Sequence, residues 1–250
     1  MSGTKFRRPL RSAARVAAIA VLGFGVIAAP AVSAQGLDQG GAQKVAQATA
    51  RATQTNTSGH FDFYVLALSW SPSFCAKQAP ARRAREPQCS GRPFAFVVHG
   101  LWPQFEHGYP SYCQVPAPRL DRGLVDHALA LMPSRSLIYH EWNRHGTCSG
   151  LSPQAYFAAI RRARAAVTVP PAYRDLEKPI TVAPAAVAQA FIKANPGLTR
   201  DDMAVGCDRK RLTEVRLCLT RDFKFHACPQ IVRRACRRDS VSMPAVRGGH

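Results

Sequence analysis

Residues 61–68 read FDFYVLAL, and this stretch decides the fold. Phe61, Phe63, Val65 and Ala67 alternate with Asp62, Tyr64, Leu66 and Leu68, a two-residue period with both faces apolar apart from Asp62. A strand apolar on both faces has to be covered on both, which predicts a central strand. Working outward, residues 94–98 (FAFVV) predict a second short strand that delivers His99 at its end, after a proline-rich loop over 76–93. The period then becomes helical. Leu124 to Met132 is stopped by Pro133, and Leu137 to His145 is ended by Gly146. Ser152 caps a third helix with Pro153 at its first position, and Pro184 opens a fourth that closes at Asn195-Pro196-Gly197. Alternation returns at 203–207, 212–219 and 223–227, predicting antiparallel strands. Strands, then helices, then strands again predict an α+β domain.

The 250 residues carry 34 Lys and Arg against 15 Asp and Glu, a formal net charge of +19. That excess favours a polyanionic partner. Residues 1–34 read as an export signal: five basic residues and no acid at the start, a short apolar stretch from Val16 to Ala29, then Val32-Ser33-Ala34 for cleavage after Ala34. Removing it takes the charge from +19 to +14, so the basicity belongs to the domain. No other apolar run approaches the ~20 residues of a membrane span. Residues 35–59, rich in Gln, Ala, Thr and Gly, predict a flexible leader, and residues 237–250 a frayed basic tail. The domain is expected over 60–236, as a monomer. All eight cysteines follow the signal, an even count that predicts disulfides; no C-x-x-C pair occurs, and spacing alone leaves 105 connectivities open.

Two clusters carry chemistry. The first is HGLWPQ at 99–104, where a histidine leaves a strand directly into a glycine, which permits close approach. The second is HEWNRHGTC at 140–148. On a helix, residues four apart share a face, which pairs His140 with Arg144 and Glu141 with His145 and predicts one stripe of four ionisable groups, with Trp142 anchored in the core. A zinc hydrolase fits poorly: His140 and His145 are five apart, roughly 140° around a helix, instead of the four of H-E-x-x-H. Two histidines, an acid and an arginine on a basic domain suit cleavage of RNA through its own 2′-hydroxyl. One imidazole removes the 2′-OH proton, an imidazolium protonates the departing 5′-oxygen, and cationic groups hold the phosphate oxygens. No metal or cofactor is required. A non-catalytic basic RNA-binding or cytotoxic module is the rival reading.

Together, HGLWPQ and HEWNRHGTC resemble the two signature segments of the ribonuclease T2 family, secreted acid ribonucleases, and the resemblance covers roughly residues 60–236. It implies an α+β fold with a central antiparallel sheet and metal-independent endonucleolytic cleavage of single-stranded RNA, through 2′,3′-cyclic phosphates to 3′-phosphates. His99 and His145 match the family's acid–base pair, Glu141 its transition-state carboxylate and His140 a phosphate-binding histidine. Arg144 stands where the family often has lysine, retaining the charge but not its shape. Trp102 matches an aromatic of the base-binding region, and Gln104 falls where some members carry an acidic base-reading residue. The resemblance also implies the pairs Cys75–Cys89, Cys113–Cys148, Cys207–Cys236 and Cys218–Cys228. The expected location is the periplasm or the extracellular medium.

Overall fold

The computed structural model describes residues 56–246. The expected signal, residues 35–55 of the expected leader and the last four residues lie outside them. In chain order, β1 (Phe63–Trp70) is followed by α1 (Ser71–Lys77), α2 (Pro80–Arg85), α3 (Pro87–Ser90), β2 (Phe96–Gln104), α4 (Arg122–Ala128), α5 (Arg135–Arg144), α6 (Pro153–Ala165), β3 (Ile180–Val182), α7 (Pro184–Ala194), β4 (Met203–Cys207), β5 (Leu212–Leu219), α8 (Pro229–Val232) and β6 (Val241–Met243).

Four strands form an antiparallel sheet in the order β2-β1-β5-β4, so β1 is interior, as its two apolar faces require. Tyr64, Leu66, Leu68 and Trp70 face a large core with Val125, Ile138, Trp142, Tyr156, Phe157 and Phe191 from the helices. Phe63 and Val65 face a smaller core with Ala204, Cys218, Cys228 and Ile231. Directly paired residues share a face. Val65 pairs with Trp102 and Cys218; the next row on that face is Gly100, Ala67, Arg216 and Ala204, and beyond it Ser69 pairs with Glu214 and Glu214 with Gly206. Apart from Arg216 and Glu214 this end of the face is floored by small side chains, which leaves room above them.

Several expectations need correction. Residues 76–93 are not one loop: prolines stand in the first turns of α1, α2 and α3, where a fixed φ and a missing N–H favour helix. The second strand does not stop before His99. It runs to Gln104, and Pro103 is tolerated because β2 is an edge strand. Residues 223–227 form only an isolated bridge between Leu219 and Phe225, because Phe223 has φ +64°, outside the strand region. The tail is not frayed after Cys236: β6 pairs with β3, Val241 and Met243 are buried, and the Trp70 indole donates to the Pro244 carbonyl at 3.1 Å. At the leader's end, the Gly59 amide and the Ser58 hydroxyl donate to the Cys148 and Thr147 carbonyls. Disulfides join Cys75 to Cys89, Cys113 to Cys148, Cys207 to Cys236 and Cys218 to Cys228.

Candidate active site

The helix α5 starts at Ser134, whose hydroxyl accepts the Leu137 amide, and is pressed onto the sheet by Trp142, buried with its indole donating to the Pro118 carbonyl at 2.7 Å. The Tyr156 hydroxyl donates to the Leu101 carbonyl at 2.8 Å and ties α6 to β2 behind the site. The helix ends at Arg144, is capped by His145 and passes into a 3-10 turn over Gly146–Cys148, where Gly146 packs so closely that a Cβ would lie 2.3 Å from a Trp142 ring carbon.

His99 lies at a bulge. Ala67 pairs with Gly100 but Leu68 pairs with Val98, which leaves His99 without a partner on β1. Bulges re-aim side chains, and this one sends the imidazole between two carboxylates. His99 Nδ1 is 3.2 Å from Glu214 Oε2, and Nε2 is 3.7 Å from Glu141 Oε1. Burial by itself would push Glu214 up, but the hydrogen bonds and charges of His99 and Arg216 outweigh it and leave the carboxyl below its ordinary value, so it is a carboxylate that can only accept and Nδ1 carries the proton. Burial by itself would push His99 down. The Glu214 hydrogen bond and the charges of Glu141 and Glu214 outweigh it, and the imidazole ends above its ordinary value.

Glu141 is 1% exposed, and its Oε2 accepts the Trp102 indole N–H at 2.7 Å. Burial pushes this carboxyl up to about 7, against the opposing pull of His99 and Trp102. The approach that brings Glu141 to β2 requires Gly100, because a Cβ there would lie 2.0 Å from Glu141 Oε2 and 2.3 Å from Trp102 Nε1. His145 is 7% exposed, and no acceptor among the described residues meets its Nδ1. Nothing offsets its burial, and with Arg144, His140 and His99 nearby the imidazole is driven down to about 3. Trp102 stands between the histidines, its ring centroid 5.2 Å from that of His99 and 5.4 Å from that of His145.

The expected stripe divides in two. Consecutive helical residues are rotated by about 100°, so the pair Glu141/His145 turns inward while His140 is exposed and Arg144 half-buried. His140 lines, with His99 and Leu137, an adjoining cavity of about 380 Å³, and burial together with the Arg144 and His99 charges lowers it. Arg144 lies over the Tyr112 ring at 5.6 Å. Gln104 is not brought to this cluster: it is buried and its amide donates to the Pro103 carbonyl. Sequence reasoning missed Glu214 and Arg216. Arg216 pairs with Glu214 through Nε at 2.7 Å and lies over the Trp102 ring at 5.6 Å. The signal was present: a Glu and an Arg two apart share one face of a strand that is otherwise almost wholly apolar.

A protein-family model described as the Ribonuclease T2 family matches residues 61–228. The chain belongs to the ribonuclease T2 family. Over 95 residues it is 54% identical to a ribonuclease of Aeromonas hydrophila, covering 38% of this chain and 41% of that protein. Over 223 residues it is 26% identical to ribonuclease DdI of Dictyostelium discoideum, covering 80% and 92%. The chain thus matches less than half of the length of the Aeromonas relative, and most of the Dictyostelium one. Among solved structures, the RNase-related protein from Calystegia sepium superposes with a TM-score of 0.60 at 21% identity, covering 75% of this chain and 99% of that one, a likeness of fold. The α+β class read from the strand and helix order is therefore the T2 fold, with four disulfides.

Proposed function

We propose that this T2-family protein is an exported endoribonuclease that cleaves single-stranded RNA without a metal. The 2′-hydroxyl attacks the adjacent phosphorus, its proton passes to His145, and the P–O5′ bond breaks as His99 protonates the departing oxygen. The 2′,3′-cyclic phosphate then adds water to give a 3′-phosphate end. The observation that carries this reading is that two imidazoles flank one indole in opposite surroundings: His145 is buried with no acceptor on Nδ1 among the described residues and is driven down to about 3, while His99 lies between two carboxylates that raise it. This difference favours His145 as the base and His99 as the acid.

Glu141, raised to about 7 by burial, sheds much of its charge as the pH falls, which lessens its repulsion of phosphate and leaves Glu214 as the lasting charge that holds His99 raised. His140 and Arg144 on the rim hold phosphate oxygens, and Trp102 contributes to the base region. The catalytic domain expected over 60–236 extends to include Ser58 at one end and β6 and Pro244 at the other, and its disulfides suit an oxidising compartment, periplasm or medium. The test is a pair of variants. His99→Ala and His145→Ala each lower turnover by ~10²–10⁴ with the fold intact. The wild-type profile is a bell, rising in strong acid as His145 loses its proton and falling above the ordinary histidine value as His99 loses its own. Near-wild-type turnover in either variant, or a rate rising steadily into alkali, would overturn the assignment.

A further inference from the structure

Beyond the catalytic cluster, a groove of about 950 Å³ runs from Glu214 and Arg216 on β5, past Gly206 and Cys207 at the end of β4, to the segment that follows α8. Its size is at the upper end of the ~300–1,000 Å³ range of small-molecule sites, yet it is open and polar. Arg209 comes from one wall and Arg234, Arg237 and Arg238 from the other, so residues far apart in sequence meet along one channel. Three acids also line it, and two are already engaged. Glu214 is held by His99 and Arg216. Asp208 is held by Lys77 at 2.9 Å and by the Lys210 and Arg211 amides, partners that outweigh its burial and bring it down to about 2. Asp239 remains. Among the described residues, none of the four arginines has a carboxylate within ion-pair distance.

The walls are fixed. The Cys207–Cys236 disulfide joins them, and the Cys236 amide donates to the Val205 carbonyl at 2.7 Å. The arginines therefore stand on a preorganised frame, which lowers the ordering cost of binding. The inner end of the groove touches the reaction centre, since Glu214 contacts His99 and Arg216 lies over Trp102. A polyanionic chain whose reacting phosphate lies at His99 would continue into a channel lined by forked guanidinium groups suited to phosphate oxygens.

We infer that this groove is a second binding site, holding phosphates of the RNA strand that flank the cleaved linkage. The inference rests on the substrate reading above and adds to it a preference for long chains over dinucleotides.

The experiment compares the wild type with the quadruple variant Arg209→Gln, Arg234→Gln, Arg237→Gln, Arg238→Gln. All four side chains are exposed, so a matching thermal unfolding profile is expected. On a dinucleoside monophosphate, kcat/KM stays within about twofold of wild type; on long single-stranded RNA at low salt it falls by roughly tenfold or more. In parallel, anisotropy follows a single-stranded DNA oligonucleotide, which lacks the 2′-hydroxyl. The log–log salt slope of its binding drops by about 0.7 for each phosphate contact removed, roughly 2–3 in all. The matching quadruple Lys variant restores binding.

Equal losses on short and long substrates would overturn the inference, because the arginines would then act on the catalytic cluster. Unchanged long-chain activity with an unchanged salt slope would overturn it as a solvated face. Arginine-dependent capture of anionic lipid vesicles without capture of the oligonucleotide would overturn it in favour of a membrane surface. If the wild type cleaves nothing, the substrate reading fails while the anisotropy still decides the groove.

Discussion

Replacing His145 with asparagine should tilt stability toward acid, by an amount that follows from the burial of the imidazole. In the folded protein burial takes His145 from 6.5 down to about 3, while the unfolded chain keeps the ordinary value. Acidification therefore protonates the unfolded state first, and the stability associated with neutral His145 is present above 6.5 and lost as pH falls. Between pH 7 and about pH 4.5 the loss is about 2.5 kcal/mol. His145→Asn has no such proton to take up, so its unfolding free energy relative to wild type should rise by about that amount over the same window. Glu141 acts in the opposite sense. Its carboxyl goes from 4.5 up to about 7 on folding, so its stability is present in acid and lost as pH rises, and Glu141→Gln should lose about 2.5 kcal/mol relative to wild type on acidification. Urea titrations followed by tryptophan fluorescence at both pH values measure these differences. A wild-type-to-variant gap for His145→Asn that stays constant with pH would mean that His145 titrates normally when folded, and the base assigned to it would be lost.

Glu214→Gln removes the carboxylate that raises His99, so the alkaline limb of the kcat/KM profile should move to lower pH while the acid limb stays in place; a limb that does not move would limit Glu214 to a structural part. Gly100→Ala would force a methyl group into the Glu141–Trp102 contact, costing about 1–3 kcal/mol of stability together with turnover. Wild-type melting and turnover in that variant would show that the contact tolerates displacement.

The fold was legible where period and punctuation agreed. Two apolar faces on residues 63–68 placed β1 inside the sheet, and Ser152-Pro153 and Pro184 marked where α6 and α7 begin. It was not legible where one residue decided the outcome. The left-handed backbone of Phe223 interrupts an alternating run, and β6 is three residues whose partner, β3, is equally short. In the site, the two motifs named His99, Glu141 and His145, but which histidine holds a proton depends on burial and on Glu214, which is more than 60 residues beyond the nearer motif and reaches His99 only through the pairing of β1 with β5. The division of the helix stripe into a buried and a rim pair likewise depends on which side of α5 the sheet covers.

The central claim is that the nucleophile is the RNA's own 2′-hydroxyl, served by two histidines. The most direct measurement is the chemistry of the ends produced when the oxidised protein is incubated, with chelator present, with a single-stranded RNA and with the same sequence methylated at every 2′-oxygen. The account predicts 2′,3′-cyclic phosphate and 5′-hydroxyl ends from the first and no cleavage of the second. Cleavage of the methylated strand, or products with 5′-phosphate ends, would contradict it.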